Sequence, residues 1–179
     1  MVNIDDFKLI STDLHLILRP HRESDASFMV ELNSNPAVTA HTPDGPLPGL
    51  DVAKEIIQSL RKQFLERQIG RFIVEDATGK LLGWCGLKWL EETDEIDLGY
   101  RFLEETWGKG IATDAAMACV AYGFNQLHFQ RITAKVLPKN HGSIKVLQKI
   151  GMKEIGRITE DDRAYCYFEI TNNEFKARA

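Results

Sequence analysis

Residues 97–114 read Asp97-Leu-Gly-Tyr-Arg-Phe-Leu-Glu-Glu-Thr-Trp-Gly-Lys-Gly-Ile-Ala-Thr-Asp114. Alternation begins just upstream: Ile96, Leu98, Tyr100 and Phe102 fall on one face, Glu95, Asp97, Gly99 and Arg101 on the other, which predicts a half-buried strand over 95–102. After a short loop, Gly108 and Gly110 flank Lys109, and a helix is predicted from there to about Asn125. Glycine at these two places removes the side chains that would keep an anion away from backbone N–H groups. The unpaired N–H groups of the helix start, with the positive end of its dipole, then form a phosphate site. A plain tight turn is the alternative for Gly-Lys-Gly alone. A P-loop would need Ser or Thr directly after Gly-Lys and glycine five residues before Gly108, where Gly110 and Leu103 stand. The dinucleotide fingerprint would need glycine at position 113, where Thr113 stands.

Upstream, residues 14–19 read as a first strand ending at Pro20, and Ser24 as the cap of a helix carrying Phe28, Met29 and Leu32 and closed by Asn35-Pro36. Residues 41–49, with three prolines and two glycines, form a loop. Val52, Ile56, Leu60 and Phe64, with Ala53 and Ile57 beside them, make residues 51–68 an amphipathic helix. Residues 71–75 and 80–90 form a hairpin around Asp76-Ala-Thr-Gly79. Downstream come a strand at 131–136, a helix at 140–150 stopped by Gly151, and a hairpin of 153–158 with 164–170. This order predicts a mixed α/β fold: a twisted mixed sheet of about seven strands with helices on both faces.

The 179 residues are 44% hydrophobic and 27% charged, which suits one globular domain over 1–179 with its core at about 10–172. A net charge of -4 argues against a sequence-independent nucleic-acid partner. No apolar run is long enough to cross a membrane, and the N-terminus has neither a basic nor an apolar export region, so the expected location is cytoplasmic. Cys85, Cys119 and Cys166 show no metal or redox spacing and are expected as buried free thiols; no metal is expected.

A second segment follows the predicted strand at 131–136: Pro138-Lys-Asn-His-Gly-Ser-Ile-Lys-Val-Leu-Gln-Lys-Ile-Gly-Met152. Trp107-Gly-Lys-Gly-Ile-Ala-Thr followed by Asn140-His-Gly-Ser-Ile-Lys-Val-Leu-Gln-Lys-Ile-Gly-Met resembles the GNAT acyltransferase superfamily, and within it the Rim-type (RimJ/RimL-like) branch of ribosomal-protein N-acetyltransferases. The resemblance implies acetyl-coenzyme A as cosubstrate, held between the strand ending near Leu103 and the parallel strand beginning near Arg131. Backbone groups of Phe102 and Leu103 are then expected along the pantetheine arm. Gly108, Lys109, Gly110, Ile111, Ala112 and Thr113 are expected around the pyrophosphate, with Trp107 standing where many members carry Gln or Arg. The same resemblance puts Asn140 against the pantetheine or adenosine side, Ser143 at the coenzyme and Lys145 near the adenosine phosphate.

Acetyl transfer to an amine needs a neutral nitrogen, a polarised carbonyl and a proton for the departing thiolate. A lysine amine has a pKa near ~10.4 and an α-amine near ~8, so a base is useful for either. Asp97, on the polar strand face, is the first candidate, and Glu95 on that face is the reserve; both are alternatively solvated carboxylates. The chain lacks a tyrosine between 123 and 164, where many members place their proton donor. Ser143 is the candidate instead, with helix capping as its alternative role. His41, Asp97 and Tyr100 are assigned to the acceptor, an amine of a protein N-terminus or of a small molecule. The acidic turn at 159–163 is a second expected influence on the acceptor, and the resemblance, to a family whose members are often dimers, allows a homodimer without identifying an interface. A coenzyme-binding sensor of the same fold without turnover is the competing function.

Overall fold

In the computed structural model of the chain, which describes residues 3–42 and 45–178, the strands are β1 (Leu9–Ile10), β2 (Ile17–Arg19), β3 (Arg71–Glu75), β4 (Leu81–Leu90), β5 (Glu95–Phe102), β6 (Arg131–Val136), β7 (Lys153–Glu160) and β8 (Arg163–Thr171). The helices are α1 (Ala26–Ser34), α2 (Pro36–Thr39), α3 (Leu50–Arg67), α4 (Ile111–Asn125), α5 (His141–Lys149) and α6 (Asn172–Lys176). Of the expected loop at 41–49, Pro43 and Asp44 lie outside the described residues, as do Met1, Val2 and Ala179 at the termini.

All eight strands join one sheet in the order β1-β2-β3-β4-β5-β6-β8-β7. Every neighbouring pair is antiparallel except β5 and β6, which run parallel. The eighth strand, beyond the expected seven, is β1: its two residues pair with Ile17 and Leu18 of β2. A strand expected over 14–19 is shortened to three residues because His15 takes a left-handed φ of 52°.

Period-two alternation sends helices to both faces. Phe72, Val74, Cys85 and Leu87 pack in one core with Ala115, Cys119 and Val120 of α4. The intervening Ile73 and Trp84 point the other way and meet Phe28 and Leu32 of α1. On α3 the buried residues are Ala53, Ile57 and Phe64, not the expected row beginning at Val52. Ala53 and Ile57 meet Ala26 and Met29 of α1, and that contact rotates the buried stripe by one position.

Local signals were redistributed rather than absent. Asp25, not Ser24, closes the turn before α1 by accepting from the Arg22 N–H at 2.7 Å. Asn35 both ends α1 and caps α2, accepting from the Ala37 N–H at 2.8 Å with Pro36 at the first helical position. The three cysteines are buried free thiols. Among the described residues no helix is long and apolar enough to cross a membrane.

Candidate active site

The parallel pair is the break in the sheet. β5 stays on its β4 ladder from Glu95 through Phe102, whereas it meets β6 in a single register pair, Asp97 opposite Thr133. Past Asp97 the two parallel strands diverge. Behind the split lies α4, held close because Gly123 has no side chain: a β-carbon there would stand 2.9 Å from Leu87 Cδ1 and 3.0 Å from Ile132 Cδ1. The resulting cleft has two halves of about 380 and 430 Å³, which meet at His41, Thr42, Tyr100, Arg101, Asn140 and Ser143.

Ladder parity decides which backbone groups of β5 face the opening. Leu103 donates its N–H to the Leu82 carbonyl at 2.9 Å, so Leu98, Tyr100 and Phe102 turn their peptide groups away from β4. The Phe102 carbonyl is taken by the Trp107 indole N–H at 3.0 Å. Leu103 also spends its carbonyl, on the N–H and hydroxyl of Thr106. The expectation of a free backbone at Leu103 is therefore corrected. The open edge belongs to Tyr100 and to the N–H of Phe102.

At the wide end, Gly108 and Gly110 adopt φ values of 74° and 81°, and a β-carbon on either would meet nothing within 4 Å. Gly110 is the residue before the first turn of α4. The N–H groups from Gly108 to Thr113 find no acceptor among the described residues; the Asp114 N–H is the first to return to the ladder, on Gly110. Gly108 and Ala112 line the cleft here. An open cradle of unpaired N–H groups at a helix start fits a pyrophosphate. Lys109 and Lys145 are exposed outside the cleft lining.

Alternation then separates the reactive side chains. Asp97 lies on the face shared with Gly99 and Arg101, and Tyr100 lies on the face that packs toward α4 and α5. Burial holds the Asp97 carboxyl above the usual range, against the opposing pull of Arg71, whose Nη2 is 3.2 Å from Oδ2, and of Lys135 and Lys88. Across the strand, the Tyr100 hydroxyl is 2.8 Å from Ser143 Oγ, and burial keeps this phenol protonated well past its ordinary range. Ser143 is not the cap of α5. Asn140 is, accepting from the Ser143 N–H at 3.1 Å, which leaves the serine hydroxyl to Tyr100.

Glu95 shares the Asp97 face but is not brought to the cleft. Arg131 holds it at 2.7 Å, the Tyr167 hydroxyl donates to it, and it lines a separate hollow beside Trp89. His41 lines both halves of the cleft and His141 the wide half only. Two residues given no role in the sequence reading, Arg71 and Lys88, line the half that contains Asp97. The overlooked signal is Gly99, because a strand glycine marks a close approach; a β-carbon there would stand 2.8 Å from Arg71 Nη2. The acidic turn also has a local explanation. Asp161 and Asp162 have φ values of 47° and 59° between paired Glu160 and Arg163, the geometry of a two-residue hairpin turn that favours Asp.

Residues 15–153 match the family model described as acetyltransferase (GNAT) domain. The chain is 32% identical to the uncharacterized N-acetyltransferase p20 of Bacillus licheniformis, over 83% of this chain and 85% of that protein. It is 26% identical to the spermidine N(1)-acetyltransferase of Escherichia coli K12, over 80% and 76%. The structure of Mycobacterium smegmatis RimJ in complex with CoA-disulfide superimposes with a TM-score of 0.78 at 21% identity, covering 96% of this chain and 93% of that one.

Proposed function

Because the chain belongs to the acetyltransferase (GNAT) family, we propose that it moves an acetyl group from acetyl-coenzyme A to a primary amine by direct attack in a ternary complex. The observation that carries this reading is the division of labour across β5. Asp97 stands on one face at the vertex of the split, and the Tyr100–Ser143 pair stands on the other, beside the unpaired N–H groups of α4.

Asp97 takes the proton from the attacking nitrogen. Its raised affinity for a proton brings it closer to the amine's own range, and a positioned base contributes about 10²–10⁴-fold. When bound, the coenzyme supplies an activated acetyl thioester. The N–H groups from Gly108 to Thr113 hold its pyrophosphate, the free backbone of Tyr100 and the Asn140 side chain border its pantetheine arm, and Trp107 and Lys145 stand toward its outer end. Ser143 gives a proton to the departing sulfur and takes one from Tyr100, which is protonated in the resting enzyme and recovers its proton from solvent as the products leave. His41 borders the acceptor. The Rim-type resemblance points to a protein N-terminal α-amine, and the spermidine relative to a small amine.

Isothermal titration of acetyl-coenzyme A tests the coenzyme site, with Ala112→Glu as the variant. Ala112 lies in the first turn of α4, where an acidic residue favours the helix, so the substitution spares the fold while placing a carboxylate in the cradle. Micromolar binding to the wild type, lost in the variant, is expected. No binding to the wild type refutes the transferase reading, and equal binding to both proteins refutes the cradle.

A further inference from the structure

The acceptor half of the cleft carries more positive than negative charge around the proposed base. Among the described residues its acidic groups are Asp97 and Glu160; Arg71, Lys88 and Lys135 are basic, and Arg101 is held by Asn33 and stays outside the count. Lys135 takes Glu160 at 2.5 Å. That leaves Asp97 facing two cations: Arg71 at 3.2 Å, and Lys88, its cross-strand partner on β4. Lys88 makes no ion pair among the described residues.

Arg71 is unusually placed for a structural arginine. Its guanidinium lies in the space left by Gly99, 4.6 Å from the Trp84 ring centroid, and it lines the cleft. Of its five N–H donors one bonds to Asp97, and Nε is buried without an acceptor among the described residues. A guanidinium so sparingly used is matched to a planar anion, which it binds through two parallel donors. A polycation would meet the opposite: two positive charges beside the only carboxylate of this half, among the described residues, that Lys135 does not neutralise.

Resting on the acetyl-transfer reading above, we propose that the acceptor is a small amine that itself bears a carboxylate within a few bonds of its nitrogen, an amino acid or a similar zwitterion. Its nitrogen sits at Asp97 and its carboxylate at Arg71 and Lys88. The 3.2 Å contact between Arg71 and Asp97 makes the amine-binding and anion-binding groups immediate neighbours, so the ligand's two groups must be neighbours too.

The test measures thiol release from acetyl-coenzyme A with α-amino acids, each beside its own α-carboxamide, and with spermidine, an aminoglycoside and a serine-initiated peptide. Wild type, Arg71→Gln and Lys88→Gln are compared. Expected is a wild-type kcat/KM ratio of acid to amide that falls about tenfold in each variant, the change appearing in KM because the carboxylate is bound alike before and at the transition state. Comparing the ratio between proteins cancels the different basicity of the two amines. Lys88 is exposed and makes no hydrogen bond or ion pair with Asp97, acting on it only as a neighbouring charge, so its variant keeps the test valid if Arg71→Gln disturbs the base or the fold. An unchanged ratio in both variants overturns the proposal, as does a wild-type preference for spermidine, the aminoglycoside or the peptide. Coenzyme binding without acetylation of any of these amines overturns it while sparing the coenzyme site. Absence of coenzyme binding removes both readings.

Discussion

The hydroxyl oxygens of Tyr100 and Ser143 lie 2.8 Å apart, one on β5 and the other in the first turn of α5. Since Asn140 supplies the cap, the serine hydroxyl has no structural duty on its own helix. Tyr100→Phe and Ser143→Ala should each lower kcat by about 10–100-fold, with coenzyme affinity little changed. The double variant should cost no more than the worse single one, because two groups passing one proton act as a unit. Steady-state thiol release decides it, and strictly additive losses would break the relay.

Asp97→Asn should lower kcat by about 10²-fold or more. The stability effect has the opposite sign. Burial raises the folded-state pKa of Asp97, so its contribution to stability is full below the unfolded value and is lost as pH rises through the folded one. The variant escapes that loss. Its Tm relative to wild type should therefore climb as pH increases from about 3 to 8. A variant that is less stable at pH 8 than at pH 3, each measured against wild type, contradicts this account.

Gly99→Ala should be mild for the fold and specific for the base. The added methyl meets the end of the Arg71 side chain, 2.8 Å away at Nη2, and a flexible side chain can move. Arg71 pulls the Asp97 pKa down, so displacing it should raise that pKa further. The acidic limb of the kcat/KM profile should move to higher pH. An unmoved limb would show that Arg71 does not act on Asp97.

His21 should control acid stability. Burial, with a smaller contribution from Arg19, lowers its pKa from 6.5 to about 4 against the pull of Asp25. Between those values the unfolded chain takes up a proton that the folded chain refuses, so stability falls as pH falls through this window. At about 1.4 kcal/mol per pH unit the loss amounts to about 3 kcal/mol. Urea unfolding at pH 4.5 and 7 should show a smaller difference for His21→Phe than for wild type.

Much of the architecture was legible because it rests on local periodicity. The alternation at 95–102, the repeat through α3 and the Asn140 and Gly151 signals around α5 each depend on residues within one or two turns. Thr171 and Glu174 form a capping box, a legible start for α6 that the sequence reading passed over. β1 could not be read, since two residues carry no alternation. Its place depends on an arm that Asp114, about a hundred residues later, ties down by accepting from the Ser11 hydroxyl and from the Leu14 N–H at 2.8 Å.

Glu95 and Asp97 show where reading by pattern stops. Period two gives them the same face and does not rank them; the family resemblance put Asp97 first and kept Glu95 in reserve. The point at which β5 leaves β6 parts them in space, placing Asp97 at the vertex of the split and Glu95 in the grip of Arg131. The family, the glycine cradle and the alternating strand belong to the sequence alone, because each is a property of neighbouring residues and of how the backbone can bend there. The split between two parallel strands, the meeting of Tyr100 with Ser143 and the cations around Asp97 belong to the tertiary structure. The Arg71–Asp97 and Tyr100–Ser143 contacts join residues 26 and 43 positions apart, beyond the reach of any local pattern.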